Sequence, residues 1–402
     1  MTNLTSPLCA IFIALLVPMR VSVFAQAGGA PARPTLRDFK RLPNGSFQLR
    51  SVGEPGRTYS IQASANLTDW ATVLLKQTDD GTLEFTDEPA NLEKRFYRAA
   101  MLPASTVVFT NYHGWSNSIV LSNGKVEAVI VPAVGRIMQF RFVGETGPFW
   151  EERSLDGQKS DPNSSAWLNF GGDKSWPAPQ SEWSAITGRS WPPPKAFDAM
   201  PATASVTNGV VTLISPVDSN YGIRVSRRIG LHAEEPVMSV TTSYEKITGT
   251  VSRISVWTIT QLNDPVRAFA LIPPSTRFPT GYTQQSSERP ADLTVTNRLL
   301  SLTRDATSGR KIGTDSSTLL WVGASVCLRI DSPRKDGETY PDNGSSAEIY
   351  TNPDPQAYVE LEMLGPLLTI KAGDRIEHTS KYTLLRRTET TADAEARKIL
   401  SR

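Results

Sequence analysis

Ile223-Arg224-Val225-Ser226-Arg227-Arg228-Ile229-Gly230-Leu231 carries Ile, Val, Arg, Ile and Leu at its odd positions and mostly polar residues at the even ones. A period of two is that of a strand with one buried face. Strand signals recur at Val126 to Val131, Ile137 to Phe142, Val210 to Ile214, Val237 to Tyr244, Val251 to Ile259, Ser317 to Ile330, Tyr358 to Met363 and Lys381 to Leu385. No segment shows a long amphipathic helix, and Thr390 to Arg402 reads as a short surface helix or a frayed tail. The chain has 402 residues with 27 Gly and 29 Pro, punctuation that a helical bundle does not tolerate, so an all-β fold is expected. About 280 residues of antiparallel strands exceed a single small sandwich and call for a large sandwich with a concave face, or a barrel.

Upstream, Phe47 to Arg50, Thr58 to Ala63, Leu83 to Phe85 and Phe96 to Arg98 are short alternating strands with turns at Gly53 to Gly56 and Asn66 to Trp70. They fit a small β-sandwich in which Tyr59 and Trp70 serve as core or edge packing. The stretches GRTYSIQASANLTDW, GTLEFTDEPA and RFYRA resemble the immunoglobulin-like or fibronectin-like accessory modules of exported bacterial proteins. That resemblance implies a spacer or adhesion role.

The apolar run Leu8 to Met19 is too short to span a bilayer and suits the core of a secretory signal. Small residues at Val23, Ala25 and Ala27 offer cleavage after Ala25 or Ala27, although Met1 to Ser6 lacks Lys and Arg, as a retained anchor would allow. The organisation read from the sequence is therefore a signal peptide at 1–27, a linker at 28–38, the small sandwich at 39–102, a large domain at 103–388 and a C-terminal tail at 389–402. A secreted, periplasmic or cell-envelope location follows, with no stable membrane insertion once the signal is gone. Cys9 leaves with the signal, and Cys327 alone permits no internal disulfide. Lys and Arg number 42 against 40 Asp and Glu, without long runs of one sign, so a nucleic-acid partner is not expected.

The segment most suggestive of a site is Trp167-Leu168-Asn169-Phe170-Gly171-Gly172-Asp173-Lys174-Ser175-Trp176-Pro177-Ala178-Pro179-Gln180, continued by Trp183 and Trp191. Its glycines and prolines predict mostly loop. Indole rings either cap the open end of the sandwich or wall a saccharide cleft, with Asn169, Asp173 and Lys174 presented to the ligand. Tyr358, Glu360 and Glu362 share one side of a strand, about 6 to 7 Å apart in succession, which suits two carboxylates around one sugar ring and equally two solvated glutamates. Arg136 stands at a strand entrance, as a fork for a carboxylate or sugar hydroxyls or as a surface arginine. Of His113, His232 and His378, His113 at a turn is the most site-like. Neither the histidine spacing nor that of Asp331, Asp336, Asp342 and Asp354 matches a metal site, and no cofactor motif is present.

Val126 to Pro132, Gly135-Arg136-Ile137, Asn169 to Gln180, and Tyr358 to Pro366 with Ile370 to Asp374 together resemble an exported bacterial family related to the aldose 1-epimerases. The resemblance spans about Val107 to Leu385 and implies a galactose mutarotase-like antiparallel β-supersandwich whose concave face binds sugars. In the catalytic members a glutamate on a late strand takes the anomeric proton and a histidine protonates the ring oxygen. Glu360 or Glu362 is the matching glutamate. The histidine motifs are missing around His113 and His232, which leaves His113 or Lys174 as substitute acid. The expectation is an exported protein that binds a saccharide or cell-surface glycan, with an epimerase-like enzyme and a structural envelope module as alternatives.

Overall fold

The computed structural model describes residues 34–43, 46–54, 57–78, 80–87, 95–101 and 105–401. The expected signal peptide lies outside the described residues. The fold is all-β, as the alternation implies: a small pair of three-stranded sheets precedes two large antiparallel sheets stacked as a supersandwich. In the small module, Thr35–Arg41, Phe47–Val52 and Thr82–Asp87 form one sheet, and Ala71–Gln77, Thr58–Ser64 and Phe96–Met101 form the other. Leu49, Tyr59, Ile61 and Leu83 are buried between them. Trp70 packs at the edge beneath the Arg98 guanidinium, 4.3 Å from its ring. The first strand begins inside the stretch that reads as a linker, and Ala71–Gln77 carries no clear alternation in sequence.

The first large sheet runs edge to edge through Thr283–Gln284, Arg310–Thr314, Ala347–Thr351, Tyr358–Leu364, Ser252–Asn263, Asp173–Ala178, Arg136–Phe142, Val126–Val131, Trp115–Ser122 and Thr106–Tyr112, with Leu368–Ile370 also paired to Ser252–Asn263. The second runs through Thr203–Thr207, Val210–Val217, Ile223–Leu231, Val237–Lys246, Arg375–Arg386, Val326–Asp331, Thr318–Val322, Arg267–Leu271, Leu299–Leu302 and Thr294–Thr296. Ile119, Ile130, Ile137, Phe140, Val359, Leu361 and Met363 of the first sheet meet Val211, Ile229, Val240, Leu328 and Leu384 of the second in one apolar layer. Burial of so many branched side chains, each worth roughly 1.5–3 kcal/mol, is what holds the two sheets together.

One expectation is corrected. Asp173–Ala178, read as loop, is a central strand paired over six positions with Ser252–Asn263. Pro177 is tolerated because it stands opposite Val256, whose carbonyl turns the other way to accept from Gly365, while the Pro177 carbonyl accepts the Trp183 indole N–H at 2.7 Å. No amide donor is needed from Pro177 toward its partner strand. At the end of the chain the short helix, of the two readings, is the one observed: Ala392–Leu400, capped by Thr391. It lays Ala392, Ala396 and Ile399 on Phe269, Leu320, Val322 and Cys327, and the Glu395 carboxylate takes the backbone N–H groups of Thr388 and Glu389. A docked face with a satisfied polar neighbour replaces the frayed tail. Among the described residues no helix is long and apolar enough to cross a membrane.

Candidate functional site

The outer face of the first large sheet, turned away from the second, concentrates charge. Gly171 and Gly172 deliver the chain to this sheet with φ of 86° and 71°. A Cβ at these positions would sit 2.2 Å from the Trp150 carbonyl oxygen and 2.5 Å from that of Ile137, so only glycine allows the approach. From there the strand alternates: Asp173 turns inward between the sheets and Lys174 turns outward. Asp173 pairs with Arg227 of the second sheet and accepts from the Thr260 and Tyr382 hydroxyls, both at 2.7 Å. It belongs to the core.

Lys174 is 1% exposed, and its Nζ lies 3.3 Å from Glu360 Oε1 and 4.9 Å from the centre of the Trp176 ring. Glu360, 8% exposed, stands opposite Gln261 on the neighbouring strand. Burial pushes the Glu360 carboxyl up, against the pull of the Lys174 ammonium, and burial pushes Lys174 down, against the pull of Glu360. The two groups are thereby brought toward one another in acidity. Burial also raises the Tyr358 phenol, with Glu360 adding to the rise and Gln261 and Asn169 opposing it. The side-chain amides of Gln261 and Asn169, both buried, complete no hydrogen bond of ordinary geometry. Trp150 lies over Tyr358 with ring centres 4.7 Å apart.

One step along the strand, Glu362 Oε2 accepts from Lys311 at 2.9 Å and from the Trp257 indole at 2.6 Å. Lys311 also meets Glu348 Oε2 at 2.7 Å and sits 4.5 Å above the Trp257 ring. Burial lowers Lys311, but Glu348 and Glu362 outweigh it and its pKa is raised. Burial raises Glu348 well above the carboxylate range. Lys311, Glu348, Trp257 and Gln261 are not singled out by the sequence. The one available signal is Gln261, an amide in the stretch Ile254 to Leu262 whose other residues are apolar or small hydroxyl side chains.

The structure distributes the other expected site residues around this pair. The fork of Arg136, fully buried, is spent within the protein: Nη2 donates to Asp198 Oδ1 and Nη1 to the Gly171 carbonyl, each at 2.7 Å. Asp198 also accepts the indole N–H groups of Trp176 at 2.8 Å and Trp167 at 3.2 Å. Trp176 packs edge-on against Trp167, Trp183, Trp191 and Trp257. Trp176 and Trp183 are buried at 4% and 0%, so their faces are occupied by other indoles, whereas Trp191 is 44% exposed. The cluster is a packed knot beside the Lys174–Glu360 pair with one exposed ring. His113 lies at an exposed turn, edge-on to Tyr112, with Nδ1 2.6 Å from Arg153 Nη2. His232 approaches Glu235 at the end of its strand, and His378 meets Ser332 at 2.6 Å. None of the three is bonded to Lys174 or Glu360. Among the described residues no group of three or more His, Cys, Asp or Glu has the arrangement to hold a metal ion.

No family model and no curated protein matches the chain. Solved structures with similar folds include a putative aldose 1-epimerase from Escherichia coli K12, 13% identical, covering 71% of this chain and 100% of that one with a TM-score of 0.45. A galactose mutarotase-like protein from Lactobacillus casei is 10% identical over 67% of this chain and 100% of its own, TM-score 0.46. A TPR-domain containing protein from Parabacteroides distasonis is 12% identical over 89% of this chain, which spans 56% of that protein's length, TM-score 0.47. These are distant likenesses of fold.

Proposed function

We propose that this is an exported saccharide-binding protein whose sugar lies on the outer face of the first large sheet, over Glu360. The observation that carries the reading is the buried Lys174–Glu360 pair, 3.3 Å apart, set beside the buried amides of Gln261 and Asn169, which face the Tyr358 phenol without completing a hydrogen bond of ordinary geometry. Buried amides with incomplete hydrogen bonds cost up to about 1–3 kcal/mol each, and sugar hydroxyls, which both donate and accept, relieve that cost on binding. Trp191 supplies the exposed ring for a sugar's C–H face. Export rests on the run Leu8 to Ala27. The test is calorimetric titration with a panel of neutral oligosaccharides. Binding weakened at least about tenfold by Glu360→Gln, the loss of a charged hydrogen bond, supports the reading; no binding across the panel overturns it.

A second reading, an aldose 1-epimerase-like acid–base enzyme, is favoured by the opposed shifts of Lys174 and Glu360. Glu360 would take the anomeric hydroxyl proton as the C1–O5 bond opens, and Lys174 would give a proton to O5; ring closure on the other face reverses both transfers. Acceleration of anomer exchange, followed by NMR and lost in both Glu360→Gln and Lys174→Met, is the expected result. Binding without acceleration restricts the protein to recognition.

A further inference from the structure

We infer that the saccharide taken by this face carries a free amino group as an ammonium, and that anionic sugars are refused; the inference rests on the reading of the face as a saccharide site. The argument is one of uncompensated charge. Glu348 stands opposite Glu362 in register, Glu362 is two residues from Glu360 on the same side of its strand, and Asp342 lies beside them, half-buried. Against these four carboxylates the face offers two ammonium groups, Lys174 on Glu360 and Lys311 shared by Glu348 and Glu362. Arg136 adds nothing to the balance because Asp198 neutralises it. Arg277 and Arg334 reach Gly344 of the Asp342–Gly344 turn, where Arg334 donates to the Gly344 carbonyl and feels Asp315 and Asp336, while the charges that act on Asp342 are Lys311 and Glu362. At the rim, Arg153 serves both Glu151 and Asp156.

A buried excess of carboxylate is neutralised either by protons or by a cation from outside. Burial does hold Glu348, Glu360 and Asp342 toward their protonated forms, which marks the same excess. One oxygen of Glu362 accepts no hydrogen bond, and the buried amides of Gln261 and Asn169 complete none. The donor set does not suit a metal ion, since no three acidic or histidine groups converge among the described residues. An ammonium carried on a sugar ring satisfies both needs: its charge meets the carboxylates, and the ring's hydroxyls meet the amides. A uronate or sulfated sugar meets the same field with the wrong sign.

The test compares three oligosaccharides of equal length on the full-length protein by calorimetry: one with free amines, its N-acetylated counterpart, and a uronate oligomer. The free amine is expected to bind about tenfold tighter than the acetylated sugar, with the uronate weakest. Asp342→Asn, at a half-buried turn, and Glu362→Gln should each reduce that preference to about threefold or less. Equal affinity for the amine and its acetylated form, or tighter binding of the uronate, overturns the inference, and the site reading survives if Glu360→Gln still weakens all three. Absence of binding by all three overturns both.

Discussion

Asp173 and Lys174 are adjacent in the chain and form ion pairs on opposite faces of one sheet, Asp173 with Arg227 between the sheets and Lys174 with Glu360 on the outer face. The strand's period of two thus ties the joint between the sheets directly to the candidate site. The inner pair is fully buried and further bonded to Thr260 and Tyr382, so removing one partner strands a charge in the core. Asp173→Asn is expected to cost about 3–5 kcal/mol in urea unfolding, and combining it with Arg227→Met should recover part of that loss. A cost below about 1 kcal/mol for the single variant would show the pair to be solvated.

The tryptophan knot makes a prediction that separates packing from exposure. Trp183 has no exposed surface and donates to Pro177, whereas Trp191 is nearly half exposed. Trp183→Ala should destabilise by about 3–5 kcal/mol, and Trp191→Ala by less than about 1.5 kcal/mol. Acrylamide should quench the indole emission lost in Trp191→Ala and leave most of the remainder unquenched.

Gly172 is the entry to the central strand, in the left-handed region with the Ile137 carbonyl against it. Gly172→Ala strains the backbone and forces two strands apart, for an expected loss of about 2–4 kcal/mol measured by thermal or chemical unfolding. Gly124→Ala, also at positive φ but with open space around it, tests the strain alone and should cost about 1 kcal/mol.

His378 gives the acid limb of stability. Burial, with Lys335 adding, pushes its imidazole down to about 4, while an unfolded histidine titrates near ~6.5. The folded value is depressed, so its contribution is present above the unfolded value and is lost as pH falls through the folded one, on the order of 3 kcal/mol in all. His378→Gln should flatten the stability profile between those limits, and NMR of the ring should show it neutral at pH about 5. A ring that titrates as an exposed histidine does would remove this cause.

The fold is legible wherever one face of a strand is buried. Ile223–Leu231 buries every apolar residue its alternation marks, with Ser226 as the added buried position, whereas Val126–Val131 is packed on both faces and is legible from its apolar run. Arg227 stands out there as the polar exception on an apolar face, yet nothing local points to Asp173, 54 residues earlier. Asp173–Ala178 is illegible for the opposite reason: it is buried on both faces, so its composition of Asp, Lys, Ser, Trp and Pro follows its partners rather than any period. Glu360 and Glu362 are visible as a carboxylate pair, but both glutamates are covered rather than solvated. Their covering cations come from Lys174 and Lys311, positions whose meaning exists only after the strands are ordered side by side.

Arg375–Arg386, the last strand of the chain, lies in the middle of the second sheet, between Val237–Lys246 and Val326–Asp331. The two halves of that sheet are joined only through it. Until residue 386 has been synthesised the halves have no common partner, and both present an open edge. Closure of the second sheet therefore waits for this strand and is governed by contacts far apart in sequence, which makes it slow.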